Sequence, residues 1–287
     1  MTNQFNRLTR RLVKAMDVPG LEIPVAGVTF FKKTDTVVED LLHFRPDTST
    51  TSCHVLRAAM LDDAAYLKKE NIGCVAAAIS LGLVEKKAPR PLRGKRVYTE
   101  LMRESSGKGK AFTPPSPREF SNGSVYACRD SGHEDFGLFG NEDSGRFKTR
   151  DIAMEAIAKM PAIQPPVMQG VFYFSPGFDE VPVIPDVVVL SVRPVELCRI
   201  IQGYQYLTGE RVRADIGGLR AGCSDLIVRP YIYNELNLSP YCLGARMIAR
   251  FEGDRMGLGM PYSLYELTVQ GVEASRTGFP FPKYPGS

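Results

Sequence analysis

The run Asp186-Val187-Val188-Val189-Leu190-Ser191-Val192 constrains the fold of this chain more than any other segment. Its β-branched residues suit a pleated strand, and apolar residues at consecutive positions mark a strand buried in the molecule. A second strand is read in Pro24-Val25-Ala26-Gly27-Val28-Thr29-Phe30-Phe31. Shorter ones are read at 125–128, 170–174, 212–216 and 256–260. Helical periodicity fills much of the rest. Residues 4–16 place Phe5, Leu8, Leu12 and Met16 on one face of a basic amphipathic helix. Thr149 caps a helix through Met160, Pro194 opens one that Gly209 stops, and Ser263 caps a last helix over 264–274. The sum is an α+β fold, with mixed sheet flanked by helices.

At 287 residues the chain can bury a large core, as one elaborate domain or two small ones. We read residues 1–287 as a single α+β domain. Hydrophobic residues at 44% and charged residues at 24% are ordinary for a soluble globular protein. No apolar run approaches the roughly 18 residues of a membrane span, and the N-terminus is polar where a secretory leader would be apolar. A cytoplasmic location is expected. In a reducing compartment the six cysteines are expected as free thiols or ligands, not disulfides.

The net charge of +4 is unevenly spread: residues 85–119 carry ten Lys or Arg and four Glu, leaving the rest of the chain at −2. Runs such as Gly107-Lys108-Gly109-Lys110 and Pro114-Pro115-Ser116-Pro117 make this stretch a surface excursion. Such a charge run is ordinarily a solvated loop. Its functional reading is contact with a small anionic molecule or an acidic partner protein. Nucleic acid is not expected: helix-turn-helix, zinc-finger and RNA-binding signatures are absent, and the overall charge is low for tracking phosphates.

Four cysteines, Cys53, Cys74, Cys223 and Cys242, fall where a helix, or a turn leading into one, begins. The first helical turn offers unpaired N–H groups and the positive end of the macrodipole. Both favour the thiolate, the form that binds metals and attacks electrophiles. Ser239-Pro240 before Cys242 reads as N-cap and first helical residue. Hydroxyl-rich Thr48-Ser49-Thr50-Thr51-Ser52 precedes Cys53, Asn71-Ile72-Gly73 precedes Cys74, and the Gly-rich 217–222 precedes Cys223. Cys53 and Cys74 are 21 residues apart, Cys223 and Cys242 are 19 apart, and the match suggests two similarly built lobes with a site between them.

Arg57 and Arg246 each follow a cysteine by four residues, one helical turn along the same face. A cation there lowers a thiol pKa and can hold a carboxylate or phosphate; the plainer reading is a solvated or ion-paired arginine. Cys198 shares a helix face with Val195, Ile201 and Gln202 and is assigned to the core. His54 points off the face of Cys53, and His43 and His133 have no supporting pattern. No serine nucleophile elbow, P-loop or dinucleotide fingerprint is present.

The segments Cys53-His54-Val55-Leu56-Arg57-Ala58-Ala59 and Glu70-Asn71-Ile72-Gly73-Cys74-Val75-Ala76-Ala77-Ala78-Ile79-Ser80-Leu81-Gly82-Leu83 resemble the prokaryotic domain-of-unknown-function family numbered one hundred and sixty-nine. So do Gly222-Cys223-Ser224 before Pro230-Tyr231, and Cys242-Leu243-Gly244-Ala245-Arg246 before Gly257-Leu258-Gly259-Met260-Pro261. The resemblance runs from about Leu21 to Met260. The chain departs from the family pattern at Cys74, where Cys-Val-Ala-Ala stands in place of a Cys-Pro-Gly-Gly-like run, and in the longer excursion at 85–119. Membership implies a soluble protein common in anaerobic bacteria and archaea. The family has no settled activity, so the resemblance marks positions without naming a reaction.

Converging thiolates repel one another unless a cation holds them, and an iron–sulfur cluster or another thiophilic metal is the natural solution. No Cys-x-x-Cys pair is present, so each ligand would come from a separate element. The leading expectation is a metal or iron–sulfur protein using Cys53, Cys74, Cys223 and Cys242. It would carry out redox, sulfur-transfer or Lewis-acid chemistry on a small anionic substrate near Arg57 and Arg246. The alternatives are a metal-free binding or accessory protein with the cysteines packed as small apolar residues, and a thiol enzyme with one activated cysteine.

Overall fold

The computed structural model describes residues 3–16, 22–37, 39–47, 49–85, 155–156, 158–218, 220–242, 245–246 and 249–275. The expected strand at 125–128, most of the helix at 149–160 and nearly all of the basic excursion lie outside them. The strands are β1 (Val25–Lys32), β2 (Ala64–Leu67), β3 (Met168–Phe174), β4 (Val187–Val192), β5 (Asn237–Ser239) and β6 (Met256–Pro261). They form one sheet in the order β2-β3-β1-β4-β6-β5, and every ladder in it is antiparallel.

That order reads the same from either edge. In the first half the chain runs β1, β2, β3 and the strands lie β2-β3-β1; in the second it runs β4, β5, β6 and they lie β5-β6-β4. The halves meet where β1 pairs with β4, Val25 opposite Leu190 and Val28 opposite Val187. The two similarly built lobes are thus fused into one sheet about its central antiparallel pair. In each half one of the four cysteines precedes the edge strand and another follows it: Cys53 and Cys74 bracket β2, Cys223 and Cys242 bracket β5.

Both faces of the sheet are covered, which is why β4 is buried at every position. Alternate residues point opposite ways. Phe172, Phe174, Val188, Leu190, Leu258 and Met260 meet helices α1 (Gln4–Met16), α4 (Pro194–Thr208) and α5 (Tyr262–Ala274). Ala26, Val28, Val171, Tyr173, Val187 and Val189 meet α2 (Ser52–Ala59), α3 (Val75–Ser80), a π-helix (Ala221–Val228) and the segment around Tyr241 and Phe251. All four cysteines lie in this second layer. Each fully buried large apolar side chain contributes about 1.5–3 kcal/mol. In α1 the buried set is Phe5, Leu8, Leu12, Ala15 and Met16, the amphipathic stripe seen in the sequence. Among the described residues no helix is long and apolar enough to cross a membrane.

The π-helix is seated on β6 by the absence of side chains. A Cβ on Gly259 would lie 2.0 Å from the Leu226 carbonyl oxygen, and one on Gly257 would lie 2.2 Å from Leu226 Cδ1. Only glycine at both positions allows the backbone of a helix to rest directly on a strand. All eight π-helical residues are buried. The helix then meets Pro230, which has no N–H to donate backwards. The Asp225 carbonyl accepts instead from Asn237 Nδ2 on β5, at 3.0 Å.

Several expectations need correction. Cys198 is exposed, not packed in the core. The buried stripe of α4 is Glu196, Leu197, Arg199, Ile200 and Gly203, and it includes two charges that a hydrophobic pattern assigns to solvent. Glu196 is held by the Arg193 N–H at 2.8 Å and by Arg255, and Arg199 donates to Ser275 Oγ and the Val272 carbonyl, each at 2.8 Å. Residues 212–216 form no strand; Asp215 is tied to the Asn237 side chain through its own N–H and carbonyl. The last helix begins at Tyr262, so Ser263 lies inside it and does not cap it. Gly209 ends α4 in the left-handed conformation, φ 69°, as expected.

Gly259→Ala forces its methyl group into the Leu226 backbone. It should lower the free energy of unfolding by about 3 kcal/mol, measured by urea denaturation. A substitution that leaves stability unchanged would show that the π-helix does not rest on β6.

Candidate four-cysteine site

Each cysteine is presented by the start of a helical segment. Cys53 is the second residue of α2, whose N-cap Thr51 accepts from the His54 N–H at 3.2 Å. The preceding residue, Ser52, is pinned to the sheet by a 2.8 Å hydrogen bond between its hydroxyl and that of Tyr173. Cys74 is itself the N-cap of α3; the Ala76 and Ala77 amides face its sulfur, although no side-chain capping bond closes. Cys223 is the third residue of the π-helix, its thiol pointing back to the Arg220 carbonyl at 3.5 Å.

Cys242 opens a helical turn, its carbonyl accepting from the Arg246 N–H at 3.0 Å. Ser239 and Pro240 do not cap that turn as the sequence suggests. Ser239 ends β5, and its hydroxyl accepts from the Tyr241 N–H at 3.0 Å, turning the chain through a left-handed Tyr241.

The layer brings the four thiols from the two halves together. Helices α2 and α3 both pack against the π-helix. A Cβ on Gly222 would come within 3.2 Å of Cys53 Sγ, so the glycine leaves room for the thiol of the other half. Cys53 and Cys242 lie close enough for their thiols to be strongly coupled. Cys74 and Cys223 are each close enough to Cys242 for their charges to interact. All four are free cysteines; Cys223 is buried and the others keep partial exposure.

The environment divides them. Cys242 is pulled down to about 5, first by the Cys53 thiol donating to it and then by the amides of Ala245, Gly222 and Ala221. Cys53 is pushed well up, because its proton is held by Cys242 and because it is desolvated. Desolvation also raises Cys74 and Cys223, against the opposing charge of Arg220. The environment thus favours the thiolate at Cys242 and the thiol at the other three positions. Among the described residues, no three His, Cys, Asp or Glu side chains are gathered tightly enough to hold a single metal ion as they stand.

The two arginines singled out in the sequence are engaged in the scaffold. Arg57 pairs with Glu252 and lies 5.8 Å from the Phe251 ring centre, tying α2 to the segment after Cys242. Arg246 donates to the carbonyls of Pro240, Phe251, Glu252 and Arg255, and holds that segment in a loop around its guanidinium. The cation that acts on the thiols is Arg220, which the sequence reading passed over inside the Gly-rich 217–222. The available signal was a lone cation between apolar and glycine residues, directly before a cysteine-bearing helix.

Fold and site define an α+β protein with a duplicated antiparallel sheet and a four-cysteine layer on one face. The chain belongs to the DUF169 family, described as uncharacterised ArCR, whose model matches residues 16–271. It is similar to the uncharacterized protein MJ0308 of Methanocaldococcus jannaschii, at 21% identity over 272 residues, covering 94% of this chain and 96% of that relative. No solved structure matches.

Arg246→Ala leaves several carbonyls without their donor and should destabilise the protein by about 2–3 kcal/mol. Arg246→Lys should recover little of this, since an ammonium cannot reproduce the planar fork. Thermal unfolding of both variants checks it; full recovery by lysine would show that charge alone matters at this position.

Proposed function

We propose that Cys53, Cys74, Cys223 and Cys242 hold an iron–sulfur cluster or another thiophilic metal, and that the site acts on a small anion. The single observation behind this reading is the gathering of four thiols from four separate elements, two from each half of the sheet. Unrelated core cysteines have no reason to collect in this way. A cluster suits them better than one ion. A single zinc draws its sulfurs to about 2.3 Å from a common centre, whereas a cluster takes thiolates on different irons and leaves them further apart.

The surroundings favour the same reading. Thiols kept protonated by desolvation release their protons when metal binds. The resulting negative charge would be offset by Arg220 and by the amides facing Cys74 and Cys242. Redox, sulfur-transfer and Lewis-acid chemistry are all open to such a centre. The reduced thiols suit the reducing cytoplasm.

A second reading has its own observation. Cys242, lowered to about 5, is a thiolate at neutral pH beside a thiol donor, the condition for a thiol enzyme with one activated cysteine.

Anaerobic purification followed by a visible spectrum and iron, zinc and acid-labile sulfide analysis separates the two. The cluster reading expects a coloured protein with iron and sulfide in equal amounts. Ala at any of the four positions should lower the metal content, and Cys198→Ala should leave it unchanged. A colourless, metal-free protein would remove that reading. Its alkylation should then centre on Cys242, with a rate that rises through about pH 5 and is flat above pH 7.

A further inference from the structure

Four charged side chains are buried among the described residues: Glu196, Arg199, Arg220 and Asp225. Glu196 pairs with Arg255, Arg199 donates to Ser275 and Val272, and Asp225 accepts from the Gly217 N–H at 3.1 Å. Arg220 differs from the other three. It is 6% exposed, its Nε has no acceptor, and its guanidinium makes no hydrogen bond to any described residue. A guanidinium carries five N–H donors in a fixed fork, and leaving a charge buried and unpaired costs several kcal/mol.

Its position adds to the anomaly. Arg220 is the residue before the π-helix and sits in the left-handed region, φ 54° and ψ 20°, which a side chain larger than that of glycine or asparagine seldom adopts. Its carbonyl is held by the Cys223 thiol, and its positive charge acts on Cys74 and Cys223. Neutral thiols are weak acceptors and do not satisfy a guanidinium. A guanidinium left with an open donor in this way is suited to an anion.

We propose that Arg220 is the anion-binding group of this protein, holding a small oxyanion of the carboxylate, sulfite or phosphate class through its guanidinium fork, beside Cys74 and Cys223. A guanidinium recognises such groups bidentately, with two parallel N–H···O bonds. Arg57 keeps an unpartnered Nη1 but its charge is paired with Glu252, and Arg246 is held by backbone carbonyls; Arg220 has neither kind of partner among the described residues. The inference deepens the reading of the site as one that meets a small anion, and it needs no metal to be tested.

The test uses the full chain, purified anaerobically in a buffer without oxyanions, with metal content measured for every sample. Formate, sulfite and inorganic phosphate are titrated separately by calorimetry. In parallel, the iodoacetamide modification rate of Cys74 is followed by peptide mass spectrometry. At least one anion should bind with one-to-one stoichiometry and slow the modification of Cys74. Arg220→Gln should weaken binding at least tenfold and abolish that protection, with the comparison made between metal-free samples. Arg220→Lys, which keeps the charge if Gln impairs folding, should bind more weakly than wild type and more tightly than Gln. The proposal is overturned if none of the three anions binds, or if binding and protection survive in Arg220→Gln. Anion binding that depends on Arg220 in a metal-free protein would uphold the anion site while removing the cluster. Metal without anion binding would do the reverse, and would make the bound thiolates the partner of Arg220.

Discussion

The seat of the π-helix on β6 is the contact on which the rest of the site depends. Two missing side chains, at Gly257 and Gly259, let Leu226 lie against the strand backbone. That contact sets the depth of Cys223, brings Gly222 against Cys53, and aims the amides of Ala221 and Gly222 at Cys242. A helix standing off the sheet by the usual thickness of a side-chain layer would leave the thiols of the two halves apart. The wider helical repeat is in keeping with this role, since π-helical turns are frequent at functional sites.

The duplicated sheet explains why four cysteines share one layer without a close cysteine pair in the sequence. One β-β-β unit places a thiol on each side of its edge strand. Two such units, joined through β1 and β4, turn both pairs toward one face. The symmetry does not extend to the charges. Arg220 and the amide cluster around Cys242 belong to the second half, and among the described residues no cation of the first half takes the matching place in shifting its thiols. An asymmetric charge within a symmetric scaffold gives a bound group one preferred orientation.

Much of this was legible in the chain itself, and what escaped did so for physical reasons. β4 announced itself through consecutive β-branched residues, α1 through its apolar stripe, and α4 through Pro194 and Gly209. The edge strands did not: Ala64–Leu67 and Asn237–Ser239 are too short for any period to show. Cys198 lies outside the core because α4 turns two hydrogen-bonded charged residues, Glu196 and Arg199, inward and so inverts the hydrophobic stripe. The cysteine spacing of 21 and 19 did reflect a repeat in the topology. The roles of Arg57 and Arg246 were not legible. Spacing can put a cation on the face of a cysteine, but only tertiary structure supplies Glu252 or the carbonyls that engage it.

The central claim is that thiols from the two halves meet. The most direct measurement is mild diamide oxidation of the reduced, metal-free chain under denaturant-free conditions, followed by peptide mass spectrometry of the disulfides formed. The account predicts that the Cys53 peptide is linked to the Cys242 peptide, joining the first half of the sheet to the second. Links confined to one half, or formed only between different molecules, would contradict it.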